Sequence, residues 1–496
     1  MSDWGQGSKN NNIGWGQGAV NNSINWGLSH SESWEGDTDI IGGVSYFVRP
    51  SGTTYGDGSG TSYDNAWSGF SSINWTLLDS QTLNVCGTFN ESLIVQSDNV
   101  TIVGNNSNES GLIDGQSLIV SNIDINSYDN VTINNLQSIN ATRESLMIQG
   151  TSANIVTNNC VFNSTGNQGI QHLDTVTATH NNPTCVGNAD DGISLHDSAI
   201  VEVNGGTFEN NAQGINIIND SVCYVYDADF INNTEDLNNG NASTLTASRC
   251  TLRNKIVADS SNKLELINCN VISGLTQVTS NGNLLVDGCK YMGTSYISSS
   301  RTDITKVNIF RSYFEVTSQT KVFLPSALSV ANVEYCTFKV TGALNTYAIA
   351  SLVAGASIST INNCNFIGNS GVGRAIQAFT TFNVKNSIFT LLNLCTNPRG
   401  ATGIINLDYC NTYLNTTINS SSSGGIFTST NEITTDPLFT NIANLDFRLQ
   451  TGSGSIGTGL TLTNSTGIET ADWVSDIPSV ITKEQGTNWN RGAYVN

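Results

Sequence analysis

The segment INNCNF, residues 361–366, decides the fold because altered copies of it return along most of the chain. Other copies are NNCVF (158–162), NGGTF (204–208), YDADF (226–230), VDGCKY (286–291), VEYCTF (333–338) and KNSIF (385–389). Each copy places a small residue two positions before a bulky one, and residues two apart in a strand point to one face. The segment therefore predicts a short strand with one buried face.

Aligning the copies gives two columns of equivalent positions, one small and one bulky. Successive members of the small column are 19 to 28 residues apart in the chain. The small column is Cys160, Cys185, Gly206, Ala228, Cys250, Cys269, Cys289, Ser312, Cys336, Cys364, Ser387 and Cys410. The bulky column is Phe162, Phe208, Phe230, Leu252, Val271, Tyr291, Phe314, Phe338, Phe366 and Phe389, with Gly187 and Thr412 as exceptions. A period of this size with strand-like segments indicates coils that stack on one another. Each strand would then pair in parallel with its counterpart in the next coil, and crossover connections between parallel strands are right-handed. The sequence predicts an all-β fold, a right-handed parallel β-helix of about a dozen coils or more.

Two further ladders support stacking. The pairs Gly169-Ile170, Gly192-Ile193 and Gly214-Ile215 recur at 23 and 22 residues. Asn pairs recur at residues 134–135, 158–159, 210–211, 232–233 and 362–363. Because Asn tolerates left-handed backbone and its amides stack, we expect these pairs at the corners of the coils.

Composition limits the classes of function. Charged residues make up 12% of the 496 residues, and the net charge of -21 with only 19 Lys and Arg argues against a nucleic-acid partner. The first residues lack the positive and apolar regions of a signal peptide, and no apolar run is long enough to suggest membrane insertion. Eight of the 11 Cys fall in the small column, so we expect buried thiols rather than a disulfide or metal framework, and no cofactor.

Residues 1–43 differ from the rest. WGQGSKNNNIG (4–14) is followed by WGQGAVNNSIN (15–25), a degenerate third copy and a closing SWEGDTDIIGG (33–43). Half of the 8 Trp lie here, namely Trp4, Trp15, Trp26 and Trp34. Regularly spaced Trp between Gly and Asn is typical of anchors that dock onto another protein. The alternative is a cap that folds over the first coil.

The chain is expected to divide into four regions. These are an anchor arm (1–43), an N-terminal cap (44–82), the parallel β-helix (83–450) and a C-terminal cap (451–496). Trp473 and Trp489 in the last region are suited to plug the exposed end of the core.

The central region resembles the large parallel β-helix class that includes pectate lyases, polygalacturonases and phage tailspikes. The ends resemble a recurrent type of secreted or phage-borne β-helix protein, through YFVRPSG (46–52), AWSGF (66–70), DPLF (436–439), DFRL (446–449) and GAY (492–494). The WGQG repeat with SWEGDTDI is similar to the N-terminal segment of structural proteins in some tailed phages. This resemblance implies a tail fibre, tailspike or head appendage that is located in the virion as a homotrimer. Its arm would bind other virion proteins, and its β-helix would face a host-surface glycan or receptor.

Two rows of polar residues could carry chemistry. One is Glu144, Gln168, Asp191 and Gln213, and the other is Asp174, Asp197 and Asn219, with His172 and His196 nearby. Coils stack at about 4.8 Å, so acids one or two coils apart bracket the separations used by glycosidases. NADDGISLHD (188–197) is faintly similar to the paired Asp of polygalacturonases, whose other motifs are absent. We assign no catalytic or metal-binding residue.

A polysaccharide depolymerase therefore remains the alternative function, and a cellular adhesin or cell-wall hydrolase is a third. Five aromatic residues could stack on sugars or belong to the core: Tyr224, Tyr226, Tyr291, Tyr296 and Tyr313.

Overall fold

The computed structural model describes residues 43–259, 263–278, 282–299, 306–317, 320–324, 328–342, 346–369 and 371–495. The four Trp of the expected anchor, Trp4, Trp15, Trp26 and Trp34, lie outside the described residues. From Gly43 onward the chain forms one compact unit.

Three long parallel sheets run along this unit, and all but the terminal coils contribute one strand to each sheet. Sheet 1 has 18 strands, and sheets 2 and 3 have 15 each. All pairings between coils are parallel and mostly in register, as in Phe208 opposite Phe230. The architecture, a parallel β-solenoid of about 16 coils, confirms the all-β, right-handed parallel β-helix predicted from the repeat.

Sheet 1 contains Ser45–Arg49, Trp67–Ser68, Thr82–Val85, Thr101–Val103, Thr132–Asn134, Ile155–Asn158, Thr177–Asn181, Ile200–Asn204, Val222–Tyr226, Thr244–Ser248, Lys263–Ile267, Asn283–Asp287, Lys306–Phe310, Val330–Glu334, Ile358–Asn362, Thr381–Lys385, Ile404–Asp408 and Ile426–Thr430. Sheet 2 contains Gly87–Phe89, Gly111–Asp114, Gln137–Ile139, Val161–Asn163, Thr184–Val186, Thr207–Glu209, Asp229–Ile231, Thr251–Leu252, Asn270–Val271, Lys290–Tyr291, Tyr313–Val316, Thr337–Val340, Asn365–Ile367, Ile388–Thr390 and Asn411–Tyr413. Sheet 3 contains Leu93–Val95, Ser121–Asn126, Glu144–Gln149, Ile170–His172, Asp191–Leu195, Gln213–Ile217, Glu235–Asn239, Lys255–Ala258, Leu275–Val278, Tyr296–Ser299, Val322–Leu324, Tyr347–Ser351, Arg374–Ala378, Leu394–Pro398 and Thr417–Asn419.

Two antiparallel pairs follow the last coils, Phe439–Asn441 with Asp446–Leu449 and Thr466–Asp472 with Ser479–Glu484. The described helices are three short 3-10 segments: Phe70–Ser72, Trp75–Leu77 and Ile442–Asn444. In the described part of the chain, no helix has the length and apolar character needed to cross a membrane.

The core is a stack of the residues that point inward, most of them apolar. Phe338 stacks on Phe314 and Phe366 with ring centroids 4.8 and 5.1 Å apart, and Phe366 stacks on Phe389 at 4.8 Å. These rings are fully buried. The bulky column therefore stabilises neighbouring coils both by burial and by ring stacking.

One assignment within the columns is wrong. Cys185 pairs with Phe208 and so belongs to the bulky column, while Gly187 lies beyond the strand in a left-handed corner. Pro183 takes the small position, because a Cβ on Gly206 would meet its ring and carbonyl oxygen. Cys is a small hydrophobe that fits either column, so its identity alone could not decide between them. With Pro183 in the small column, Cys160 precedes it by 23 residues and Gly206 follows it by 23 residues.

All 11 Cys are buried free thiols, and the other seven assigned to the small column do line it. The Asn pairs occupy corners as expected: Asn135, Asn159, Asn210, Asn232 and Asn363 have φ between 50° and 57°. Their neighbours form an amide ladder, in which Asn158 donates to Asn134 at 2.7 Å and Asn181 donates to Asn158 at 2.7 Å. Left-handed Asn thus turn the chain at two corners, after sheet 1 at Asn135, Asn159 and Asn363 and after sheet 2 at Asn210 and Asn232.

The last residues lie along the side of the solenoid. Residues 454–495, here named the C-terminal strap, cover sheet 2 and the adjacent corner from Lys290 to Cys410. Lys290 Nζ donates to the Ser475 carbonyl at 3.1 Å, and Arg491 Nη1 donates to the Cys410 carbonyl at 2.6 Å. Trp473 stacks on Tyr313 and donates to the Tyr494 hydroxyl at 2.9 Å. Trp473 therefore covers a side face, whereas the sequence suggested that it plugs the end of the core.

Candidate functional site

A polar face runs along the outside of sheet 3 across five coils. Its first row is Glu144, Gln168, Asp191, Gln213 and Glu235, and its second row is Gln171, Ser194 and Asn216. The second row points outward because its members alternate with core residues such as Ile193 and Leu195. We call these eight residues the polar face.

Glycine explains why the first row also points outward. A Cβ on Gly192 would lie 2.8 Å from the Phe208 ring, so Gly192 faces the core. Gly214 faces Phe230 in the same way at 2.6 Å. Gly192 and Ile193 therefore both face inward, and the residue before them, Asp191, is turned to the outside. This is the physical reason for the Gly-Ile ladder seen in the sequence.

Three amide nitrogens of the polar face each donate one hydrogen bond to a carboxylate. Gln168 Nε2 donates to Asp190 Oδ2 at 3.2 Å, and Gln213 Nε2 donates to Glu235 Oε2 at 3.2 Å. Asn216 Nδ2 donates to Asp191 Oδ2 at 3.1 Å. An ionised carboxylate only accepts, so each of these amides must present its nitrogen to the acid and its oxygen elsewhere.

The oxygens left over have no donor. Besides Glu144 Oε1, which faces the Arg143 guanidinium at 3.1 Å, the polar face has five buried acceptors without a hydrogen-bond partner among the described residues: Gln168 Oε1, Gln171 Oε1, Asp191 Oδ1, Gln213 Oε1 and Asn216 Oδ1. An unpaired buried acceptor costs about 1–3 kcal/mol. Such groups are rare in folded proteins, so the cluster of five on three neighbouring coils marks the polar face as the candidate ligand site.

Asp191 lies at the centre of the polar face and is only 1% exposed. Burial, and then the negative charge of Asp190, raises the pKa of Asp191 to about 7, against hydrogen bonds from Asn216 and Ser194. The acids two coils away on either side have cations: Arg143 lies 3.1 Å from Glu144, and Lys255 lies 2.6 Å from Glu235. No ion pair among the described residues includes Asp191.

The second predicted row lies elsewhere. Asp174 and Asp197 occupy exposed corners with φ of 65° and 62°, and Asn219 continues this corner at 56°. Asp174 accepts from the Gly150 amide at 3.1 Å, and Asp197 accepts from the Asp174 amide at 3.4 Å. These side chains cap backbone groups of the preceding coil and do not join the polar face.

The two predicted histidines also separate. His172 points into the core, where its Nε2 lies 2.9 Å from Nε2 of His180, a partner that sequence reasoning missed. Burial lowers the pKa of His172 to about 4 and holds the pKa of His180 well below its usual value. His196 lies beside the polar face, with Nε2 3.1 Å from Ser194 Oγ, and burial lowers its pKa.

Only some of the predicted aromatic residues are available to a ligand. Tyr224 is 38% exposed on sheet 1, where it lines a shallow pocket of about 210 Å³ with Ile200 and Glu202. Tyr226 and Tyr296 are half-buried. Tyr291 belongs to the core stack, and Tyr313 lies beneath the strap.

Within the described ranges, no group of three or more His, Cys, Asp or Glu side chains is placed to hold a metal ion. The polar face therefore offers hydrogen-bond acceptors and a buried acid rather than a preformed metal centre.

The fold and the face together define a parallel β-helix with an acceptor-rich face on one sheet. The solved structure of pectate lyase Pel9A aligns with 91% of this chain and 96% of its own length, at 13% identity and a TM-score of 0.27. These values are too low to carry over any residue or activity. The sequence matches no family model and no curated protein.

Proposed function

We propose that the protein binds a polysaccharide lengthwise along the polar face of sheet 3. The observation that carries this proposal is the set of unpartnered acceptor oxygens, which recur from coil to coil in Gln168, Asp191 and Gln213. Coils repeat at about 4.8 Å, so the face suits a polymer whose hydrogen-bond donors recur at a similar interval. An extended polysaccharide has such a repeat and carries donors on every sugar.

A ligand reaches these oxygens by a small local movement. Gln171, in the second row, has an unpartnered oxygen, so rotating its amide breaks no hydrogen bond to that atom. Gln171 is 7% exposed and Gln168 is 6% exposed, so both lie just below the surface. Sugar donors would then replace a costly arrangement of bare acceptors.

Binding is favoured over cleavage by the state of the flanking acids. A glycosidase needs a second carboxylate as base or nucleophile beside its acid. Glu144 accepts from Ser121 at 2.9 Å and contacts Arg143, while Glu235 contacts Lys255 and Gln213. Both acids are therefore occupied by contacts within the protein, and neither stands free beside Asp191 as a second catalytic carboxylate.

The location in a phage particle remains part of the proposal. Its support is the Trp repeat, and the arm of residues 1–43 would attach the protein to other virion proteins. The β-helix, as a homotrimer, would then meet a host-surface glycan. Deleting residues 1–43 should abolish incorporation into particles while glycan binding persists, and unchanged incorporation would refute the anchor.

Affinity electrophoresis of the full chain against soluble cellulose derivatives, xylan, chitosan and polygalacturonate tests glycan binding. Gln171→Ala should weaken binding about tenfold, as expected for a lost hydrogen bond in a dry site. Gln377→Ala is the matched control, because Gln377 is also 7% exposed and also lies on sheet 3. It stands opposite Asn397 of the next coil, outside the coils that carry Glu144, Asp191 and Glu235. Equal effects of the two variants, or no binding to any glycan, would contradict the proposal. Release of reducing ends would show cleavage instead.

A further inference from the structure

We infer that the bound polysaccharide carries free amino groups, and that a sugar ammonium binds at Asp191. This inference rests on the proposed glycan binding and names the class of sugar. It follows from which kinds of hydrogen-bonding atom the polar face leaves free.

The buried atoms around Asp191 that have no hydrogen-bond partner are all acceptors. Its own Oδ1 and the amide oxygens of Gln168, Gln171, Gln213 and Asn216 have no donor among the described residues. The amide nitrogens of Gln168, Gln213 and Asn216 already donate to carboxylates. An ammonium group has three donors and no acceptor, so it matches this set. A neutral hydroxyl has a single donor, so it would satisfy fewer of these acceptors and would bring no positive charge to Asp191.

The charges in the first row of the polar face also favour an ammonium group at Asp191. Glu144 contacts Arg143 and Glu235 contacts Lys255, so both outer acids have a cation from the protein. Asp191, between them, has no such cation among the described ion pairs. A ligand cation at Asp191 would complete the pattern, because it removes the cost of a buried carboxylate without a partner.

The same charges argue against acidic sugars. Asp190 lies close enough to Asp191 to raise its pKa, and Glu235 acts in the same direction. A uronic acid at this position would add another negative charge to a face whose two cations are already paired. Like charges at short range repel, so a polyuronate should not bind here.

The test compares hexasaccharides with one linkage that differ only at C2. Calorimetry at neutral pH measures binding of β-1,4-linked hexamers of glucosamine, N-acetylglucosamine and glucose to the full chain. The glucosamine hexamer should bind at least about tenfold more tightly than the other two, as expected for a charge-assisted hydrogen bond. Added salt should weaken only the glucosamine hexamer.

Asp191→Asn should remove that preference and leave any binding of the glucose hexamer unchanged. Glu202→Gln, on sheet 1 and outside the polar face, is the control for the loss of one negative charge. If neutral hexamers bind as tightly as glucosamine in a Gln171-dependent manner, this inference is wrong and the proposed glycan binding stands. If no hexamer and no polysaccharide binds, both are wrong.

Discussion

Replacing Asp191 by Asn should make the stability of the protein less sensitive to pH. In an unfolded chain this carboxyl titrates near its usual value of 3.8, whereas burial and Asp190 raise its pKa to about 7 in the fold. Between these values the folded protein keeps a proton that the unfolded chain releases. The contribution of Asp191 is therefore most favourable below pH 4 and is lost as pH rises through 7.

The shift gives the size of the effect. A change from 3.8 to about 7 corresponds to about 4 kcal/mol of unfolding free energy, at about 1.36 kcal/mol for each unit. The free energy of unfolding of Asp191→Asn minus that of the wild type should grow by up to this amount between pH 4 and pH 8. A constant offset from altered contacts with Asn216 would leave this slope unchanged.

Urea unfolding of both proteins at successive pH values measures the difference. Protonation of the buried pair His172 and His180 acts on both proteins and cancels in the comparison. Asp190→Asn is the control, because it removes the second largest cause of the raised pKa and should give an intermediate slope. Parallel curves for wild type and Asp191→Asn would refute the assignment of a raised pKa to Asp191.

Three other outcomes can be measured by similar means. Because the pKa of His172 is about 4 in the fold and 6.5 outside it, this side chain lowers the unfolding free energy by about 3 kcal/mol as pH falls through this range. The free energy of unfolding of His172→Leu minus that of the wild type should therefore rise by up to this amount, as urea unfolding would show, because the opposite contribution of Asp191 is common to both proteins. Phe338→Ala should cost about 3–5 kcal/mol of unfolding free energy, because its ring stacks on both neighbours in the core; a cost below 1 kcal/mol would contradict the stack. Trp473→Ala should speed proteolysis within the C-terminal strap without weakening glycan binding, whereas Val474→Ala, at a side chain 70% exposed, should change neither.

The stacked core could be predicted because it repeats. Phe366 and Phe389 occur in recognisable copies of one segment, and each copy makes the same contacts with the next. Cys185 shows where this reasoning fails, because a small apolar side chain satisfies either column. Only the backbone register, which places Pro183 beneath Gly206, separates the two alternatives.

The polar face could be predicted in part. The first row, including Glu144 and Asp191, follows from the Gly-Ile ladder, whereas Gln171 and Asn216 look like ordinary outward polar residues in the sequence. Their role depends on burial and on which amide atoms are already bonded, and neither has a periodic signal. The position of the C-terminal strap could not be predicted from the repeat, because contacts such as that of Lys290 with Ser475 join residues far apart in the chain.

The strap changes the order in which the molecule can be completed during synthesis. A solenoid held only by neighbouring coils can fold progressively as it leaves the ribosome. Here Tyr313, Tyr335 and Ile367 present apolar outer surfaces that stay uncovered until Trp473 and Tyr494 have been made. Nascent or truncated chains that lack these residues would expose this patch and be prone to associate, so synthesis of the strap is also the step that protects the protein from aggregation.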